Sequence, residues 1–204
     1  MNNYIFMTIT GKTCAGKSYL LDELISKNIV NKIVSCTTRP PRIDEINGRD
    51  YYFLSEEEFQ WGLDRGDFIE SVKFNDVYYG TTYKELETKI DNKKPGAIII
   101  EPNGIKNYEK YCSTQNIKML KTFVITNENV RLERLNNRFL KELEFGNENK
   151  IEIIKRFTKR IYTTAIEEQK WLTAHNYDLY ITGEYLNAAV SLIEKVILEI
   201  LKET

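Results

Sequence analysis

Eight residues near the amino terminus, Gly11-Lys12-Thr13-Cys14-Ala15-Gly16-Lys17-Ser18, have the types and spacing of a phosphate cradle, G-x-x-x-x-G-K-[ST]. Glycines permit backbone conformations that a Cβ penalises, so successive N–H groups and a helix N-terminus can face an anion. The Lys17 ammonium would reach the β- and γ-phosphates of a nucleotide, and the Ser18 hydroxyl would ligate Mg²⁺. The flanks agree: 4–10 reads as a buried strand entering the loop and 18–25 as a helix leaving it.

A phosphate cradle does not say what accepts the phosphate. The stretch Ser35-x-Thr37-Thr38-Arg39-x-x-Arg42, then Glu45-x-x-Gly48-x-Asp50-Tyr51-x-Phe53, Phe68-x-Glu70 and Tyr78-Tyr79-Gly80-Thr81 is more specific. In these residues, and in the loop before them, the chain resembles the guanylate kinase family of P-loop nucleoside monophosphate kinases. The likeness runs from the P-loop to the C-terminal strand. It implies ATP as phosphate donor and GMP or dGMP as acceptor. The chemistry of the residues agrees. A nucleoside monophosphate carries about two negative charges near pH 7, which Arg39 and Arg42 can clamp bidentately. Tyr51 and Tyr79 offer hydroxyl donors to the same oxygens. Guanine presents two donors on one edge, N1–H and N2–H₂, and the Glu70 carboxylate can accept both. Ser35 or Thr81 can serve the O6/N7 edge. Adenine lacks that donor pair and would leave a buried Glu70 unpaired.

By the same resemblance, ATP binds at Gly11, Thr13, Ala15, Gly16, Lys17, Ser18 and Tyr19. Arg134 and Arg138 look like the family's arginine pair at the entrance to a lid, and Arg160 like the arginine that follows it, with Arg156 competing for that role. With Lys17 and Arg39 they form the expected catalytic set, cations for the charge spread over the transferring phosphoryl group. Ordinary helix-face ion pairs with Glu133, Glu142 or Glu167 are the alternative use of these arginines. Glu101 ends an apolar strand, where it would hold Mg²⁺ through water or contact the acceptor. The chain also departs from the family. Lys12 and Cys14 replace a proline and a glycine, Ile99 stands where an aspartate is common, the lid is long, and Thr182-Gly183 replaces an asparagine that helps hold adenine. Two rival readings remain: a kinase of the same fold for another phosphorylated small molecule, and a non-catalytic phosphopeptide-binding module of guanylate kinase type. Ser35 with Glu70 weighs against the first and the complete P-loop against the second.

Strands and helices must position these groups. Lys32–Ser35 reads as a second strand, 51–54 as a third, and Ser55 with Glu58 as the capping box of a helix through Trp61. Phe68–Phe74 turns at Asn75-Asp76 into 77–79, giving a small antiparallel lobe. A helix over 83–92 precedes the apolar strand 97–100, with further strands at 122–126 and 177–182. Segments 130–143 and 150–172 are helical by pattern around the polar break 145–149, and 187–202 is an amphipathic helix with Val190, Ile193, Val196, Ile197 and Ile200 on one face. The expected fold is therefore α/β: a parallel sheet flanked by helices, with an inserted small antiparallel NMP-binding lobe and a helical lid. In numbers, a single domain has its core at 1–34, 82–138 and 160–204, its lobe at 35–81 and its lid at 139–159. Trp61 and Trp171 read as packing residues.

Composition sets the outer bounds. The 204 residues suit one domain, and 42% hydrophobic content suits a substantial core. Lys+Arg (29) and Asp+Glu (30) nearly cancel, against nucleic-acid binding driven by net charge. No apolar run is long enough for a membrane span, and Met1–Tyr4 does not open a signal peptide. Three scattered cysteines, Cys14, Cys36 and Cys112, imply reduced thiols and a cytoplasmic setting, and the lone His175 speaks against a zinc cluster.

Overall fold

A computed structural model describes residues 4–74, 76–91, 94–146 and 148–202. The expectations for the amino-terminal Met1–Asn3, the turn residue Asn75, the helix end at Asn92 and the break at Asn147 lie outside the described residues.

The core is a five-stranded sheet. Its strands are β1 (Ile5–Gly11), β2 (Asn31–Lys32), β7 (Gly96–Ile99), β8 (Lys118–Ile125) and β9 (Leu179–Thr182), in the order β2-β7-β1-β8-β9. Every pairing in it is parallel. All seven residues of central β1 are buried. Alternation of side chains sends Ile5, Met7 and Ile9 to one face, against helices α1 (Lys17–Ser26) and α7 (Leu186–Lys202). Phe6 goes to the other face, stacked on Tyr108 of α4 (Pro102–Gln115) at a 4.8 Å ring separation. The α7 face foreseen in the sequence supplies Val190, Ile193 and Ile197 to the first cluster. No described helix is long and apolar enough to cross a membrane.

A second sheet has the order β4-β3-β6-β5, from β3 (Cys36–Thr37), β4 (Tyr52–Phe53), β5 (Phe68–Phe74) and β6 (Val77–Thr82). The β5–β6 and β3–β6 pairs are antiparallel, whereas β3–β4 is parallel, so the lobe sheet is mixed. Helix α2 (Glu56–Arg65) packs beneath it, and both hydrogen bonds of the capping box between Ser55 and Glu58 are present. The single strand expected over 32–35 is two short strands in different sheets. Between them Ile33 and Val34 are buried as the chain crosses over, which is why the run looked continuous. Both crossings between the sheets meet one residue, Glu85 of α3 (Tyr83–Lys89). It accepts the Val34 N–H at 3.0 Å and the Tyr52 hydroxyl at 3.3 Å, while its own N–H caps on Thr82 Oγ1 at 3.2 Å.

Helices α5 (Glu128–Phe145) and α6 (Lys150–Ile166) follow β8. The helix expected to run to Leu172 stops at Ile166, and 168–173 is a 3₁₀ turn instead. Helix α4, unassigned from sequence, begins with Pro102 in its first turn and buries Ile105, Tyr108 and Cys112 at helical spacing. Trp61 is 59% exposed and not a packing residue, whereas Trp171 packs on the Ile105–Phe123–Tyr177 cluster.

Candidate active site

One cavity of about 950 Å³ runs between the two sheets. Its floor is the loop joining β1 to α1. Gly16, at φ 105°, adopts a conformation open to glycine and costly to other residues. Cys14 also has positive φ (63°), the extra backbone demand expected where the family has glycine. Thr13, Cys14, Ala15, Gly16, Lys17, Ser18 and Tyr19 all line the cavity. The Lys17 ammonium lies over the loop, donating to Gly11 O at 2.6 Å and Lys12 O at 2.9 Å. Burial lowers its pKa to about 8, with Glu168 opposing that shift and Arg160 adding to it.

The loop is tied down by residues that sequence reasoning missed. Glu168, fully buried, accepts the Thr13 N–H at 2.9 Å and the Thr13 hydroxyl at 2.6 Å. Arg131, 1% exposed, donates to Thr13 O at 3.1 Å while its other nitrogens pair with Glu128. The Thr126 hydroxyl donates to Ala15 O at 2.6 Å. These contacts span more than 100 residues of chain, so no local pattern reveals them.

The second sheet supplies the opposite wall. Ser35, Arg39, Arg42, Tyr51, Glu70 and Tyr79 all line the cavity. The Arg39 guanidinium lies 5.0 Å from the Tyr51 ring centroid and is gripped bidentately by Glu45 at 2.6 and 2.7 Å. Glu45 also accepts the Arg42 N–H at 2.8 Å and Arg42 Nη1 at 3.2 Å. Burial works against the Glu45 charge, but the Arg39 hydrogen bonds and the Arg42 N–H outweigh it and hold its pKa at about 2. Burial, with Arg138 and Arg39 close by, lowers Arg42 to about 10. Arg39 Nε is buried with no partner among the described residues. Glu45 appeared in the sequence pattern without a role, and its function as the brace of both arginines emerges only from the fold.

Glu70, 7% exposed, accepts from the Thr81 hydroxyl at 3.1 Å and the Tyr108 hydroxyl at 3.4 Å. Burial raises its pKa to about 7, those hydrogen bonds only partly opposing. Thr81 does not itself reach the cavity. It is fully buried and sits between Glu70 and Ser35, whose hydroxyl is 3.0 Å away. Tyr108 is a second support that sequence reasoning missed.

Of the arginines, Arg134, Arg138 and Arg160 line the cavity and Arg156 does not. Arg156 pairs with Glu142 and Glu148. Arg138 donates Nε to Glu142 at 3.1 Å, so the i,i+4 ion pair and the cavity position coexist. Arg134 is exposed and donates to Cys14 O at 3.4 Å. Glu101 lines the cavity, and burial raises its pKa against the opposing charges of Arg160 and Lys17. Ile99 lines it too, so the wall is apolar at the position where the resemblance implies an aspartate. Beyond the P-loop the wall is closed by 183–188, which includes Asn187, another polar group sequence reasoning missed. From α5 and α6, Lys141 reaches Asp44 at 2.6 Å and Lys159 reaches Asp76 at 2.8 Å, joining the expected lid to the lobe.

A P-loop on a parallel sheet, facing an arginine–tyrosine–glutamate wall across one cavity, defines the class of P-loop nucleoside monophosphate kinases. The comparisons narrow the class. The guanylate kinase family model matches residues 4–200. A guanylate kinase of Clostridioides difficile (strain 630) is 30% identical over 194 residues, covering 95% of this chain and 86% of that protein. One from Caldanaerobacter subterraneus subsp. tengcongensis is 31% identical over 196 residues, with the same two coverages, 95% and 86%. The crystal structure of guanylate kinase from Anaplasma phagocytophilum shares the fold, with a TM-score of 0.68 over 98% of this chain and 87% of that one at 22% identity. The chain belongs to the guanylate kinase family.

Proposed function

We propose that the protein transfers the γ-phosphoryl group of MgATP to GMP or dGMP, giving MgADP and GDP or dGDP. The carrying observation is that the P-loop and the Arg39–Arg42–Glu70 wall open into one cavity, so donor and acceptor phosphates can meet in line. The acceptor phosphate lies against Arg39, Arg42, Tyr51 and Tyr79. The guanine edge lies on the Glu70 carboxylate, with Ser35 beside it and Thr81 behind. An oxygen of the acceptor phosphate attacks the γ-phosphorus, and the bond to the β–γ bridging oxygen breaks as ADP leaves. The nucleophile is already a dianion near pH 7, so no general base is needed. Lys17, Arg138, Arg160 and Arg134 offset the charge on the transferring group.

The residues present fit Mg²⁺. The Ser18 hydroxyl and the Glu101 carboxylate are hard oxygen donors on the same cavity, and Mg²⁺ takes few protein ligands beside water and phosphate oxygens. Ser18 would hold it directly and Glu101 through water, and the ion would supply positive charge to the phosphates. A coupled assay across nucleoside monophosphates tests the proposal: turnover of GMP and dGMP above AMP, CMP and UMP is expected. No turnover of either guanine nucleotide, with another phosphorylated acceptor favoured or with no ATP bound, would refute it.

A further inference from the structure

Glu142 has entered so far only as an ion-pair partner, yet three arginines from three segments converge on it. It lies on α5 within the expected lid and is 7% exposed. Oε1 accepts Arg138 Nε at 3.1 Å and faces Arg42 Nε at 3.8 Å. Oε2 accepts from Arg156 Nη2, and Arg156 Nη1 turns to Glu148. Arg42 comes from the loop after β3, Arg138 from α5 one turn before Glu142, and Arg156 from α6. Arg42 and Arg138 line the nucleotide cavity, whereas Glu142 and Arg156 do not.

Two physical consequences follow. Arg42 and Arg138 are like charges drawn together beside a low-dielectric wall, and a shared carboxylate lowers their mutual repulsion before any phosphate arrives. A guanidinium is also a rigid plane with five donors. Engaging Arg138 at Nε orients its plane and leaves the outer Nη edge for a ligand. Because the same carboxylate faces Arg42 Nε, the acceptor clamp and a transfer-site arginine share one reference point. Donors fixed in this way need no reorganisation as charge develops in the transition state.

We propose that Glu142 is a positioning residue that sets Arg42 and Arg138 in common register, with Arg156 holding Glu142 from behind. The proposal rests on the guanylate kinase reading, in which Arg42 and Arg138 meet phosphates. It is tested by steady-state kinetics of the full chain with the variants E142Q, R156Q and E142Q/R156Q. E142Q should lower kcat about tenfold at saturating GMP and ATP and move KM for ATP less than about twofold, since the P-loop contacts are untouched. R156Q should lower kcat about threefold, and the double variant should fall no more than about twofold below E142Q, because Arg156 acts only through Glu142. E152Q, which removes a lid carboxylate paired with Lys155 at the surface, should leave kcat unchanged. An E142Q kcat within about twofold of wild type would overturn the proposal. So would losses that multiply in the double variant, since Arg156 would then touch phosphate itself. Should E142Q fail to fold, R156Q decides, because its side chain is 43% exposed. A lowered kcat with an unchanged melting temperature sustains the proposal, and an unchanged kcat sinks it. Wild-type turnover of GMP tests the underlying reading separately, while the variant-to-wild-type ratio speaks only to Glu142.

Discussion

Replacing Glu70 by glutamine exchanges one carboxylate oxygen for an NH₂ group and leaves the shape of the side chain intact. The carboxylate accepts from Thr81 and Tyr108 and lines the cavity, where in the proposed complex guanine would offer N1–H and N2–H₂. Hydrogen bonds to a charged group contribute about 1.5–3 kcal/mol each. The amide retains one acceptor and opposes a donor with a donor, so E70Q should cost about 3 kcal/mol, roughly a hundredfold in kcat/KM for GMP. The pH profile gives a second reading. Burial moves the Glu70 pKa from 4.5 to about 7. Only the ionised form accepts both guanine donors, so wild-type kcat/KM for GMP should rise with pH through about 7 and level above it. E70Q should lack that rise. The same raised pKa favours the protonated folded state. Its stabilisation is complete below about 4.5 and is lost as pH climbs through about 7. At pH 8 the ionised, buried carboxylate therefore costs about 3 kcal/mol, and E70Q without nucleotide should melt higher than wild type there. The assay is a pyruvate kinase–lactate dehydrogenase couple run at fixed ionic strength, with melting curves beside it. An E70Q value of kcat/KM within threefold of wild type, or a persisting rise near pH 7, would refute the reasoning.

Four further outcomes are expected. Lys17→Met should lower kcat about 10²–10³-fold, the scale of losing one transition-state donor, with GMP affinity by calorimetry unchanged. Because Lys17 titrates near 8, wild-type kcat/KM for ATP should fall as pH rises above that value. Glu168→Ala removes both buried hydrogen bonds to Thr13, so it should cost about 3 kcal/mol, lowering the melting temperature roughly 6–12 °C and raising KM for ATP. Gly183→Ala would place a Cβ 2.1 Å from Thr126 Oγ1 and 2.6 Å from Ala15 O. It should break the bond that backs the P-loop, visible as lost ATP affinity in equilibrium binding.

The sequence displayed the parts of the site whose physics is local. The P-loop, the Ser55–Glu58 box and the buried runs of β1, β7 and β8 each announce themselves within a few residues, and the structure has all of them. The wall residues Arg39, Arg42, Tyr51, Glu70 and Tyr79 were legible as chemistry because their types fit one ligand, and the fold brings them to one cavity. What stayed hidden depends on partners far along the chain. Glu168 looks like one more acidic residue in a charged stretch until Thr13 is folded against it. The 3₁₀ turn carrying it interrupts a pattern that helical periodicity alone would continue. Helix α4 was overlooked although Pro102 and the spacing of Ile105, Tyr108 and Cys112 mark it. Its first residues, Asn103 and Gly104, are poor helix formers and draw attention to the turn. Trp61 shows the opposite failure, since its size suggested packing while α2 turns it to solvent.

Glu85 bears on mechanics as well as on structure. The chain enters the smaller sheet near Val34 and leaves it near Thr82, and Glu85 meets both places, its carboxylate accepting from Val34 and Tyr52 and its backbone N–H donating to Thr82. Both points where the chain passes between the sheets are thus braced at one residue, and Arg39, Arg42 and Glu70 lie on the stretch of chain between them. Loosening that brace would leave all three side chains intact and still alter the angle at which the smaller sheet meets the core.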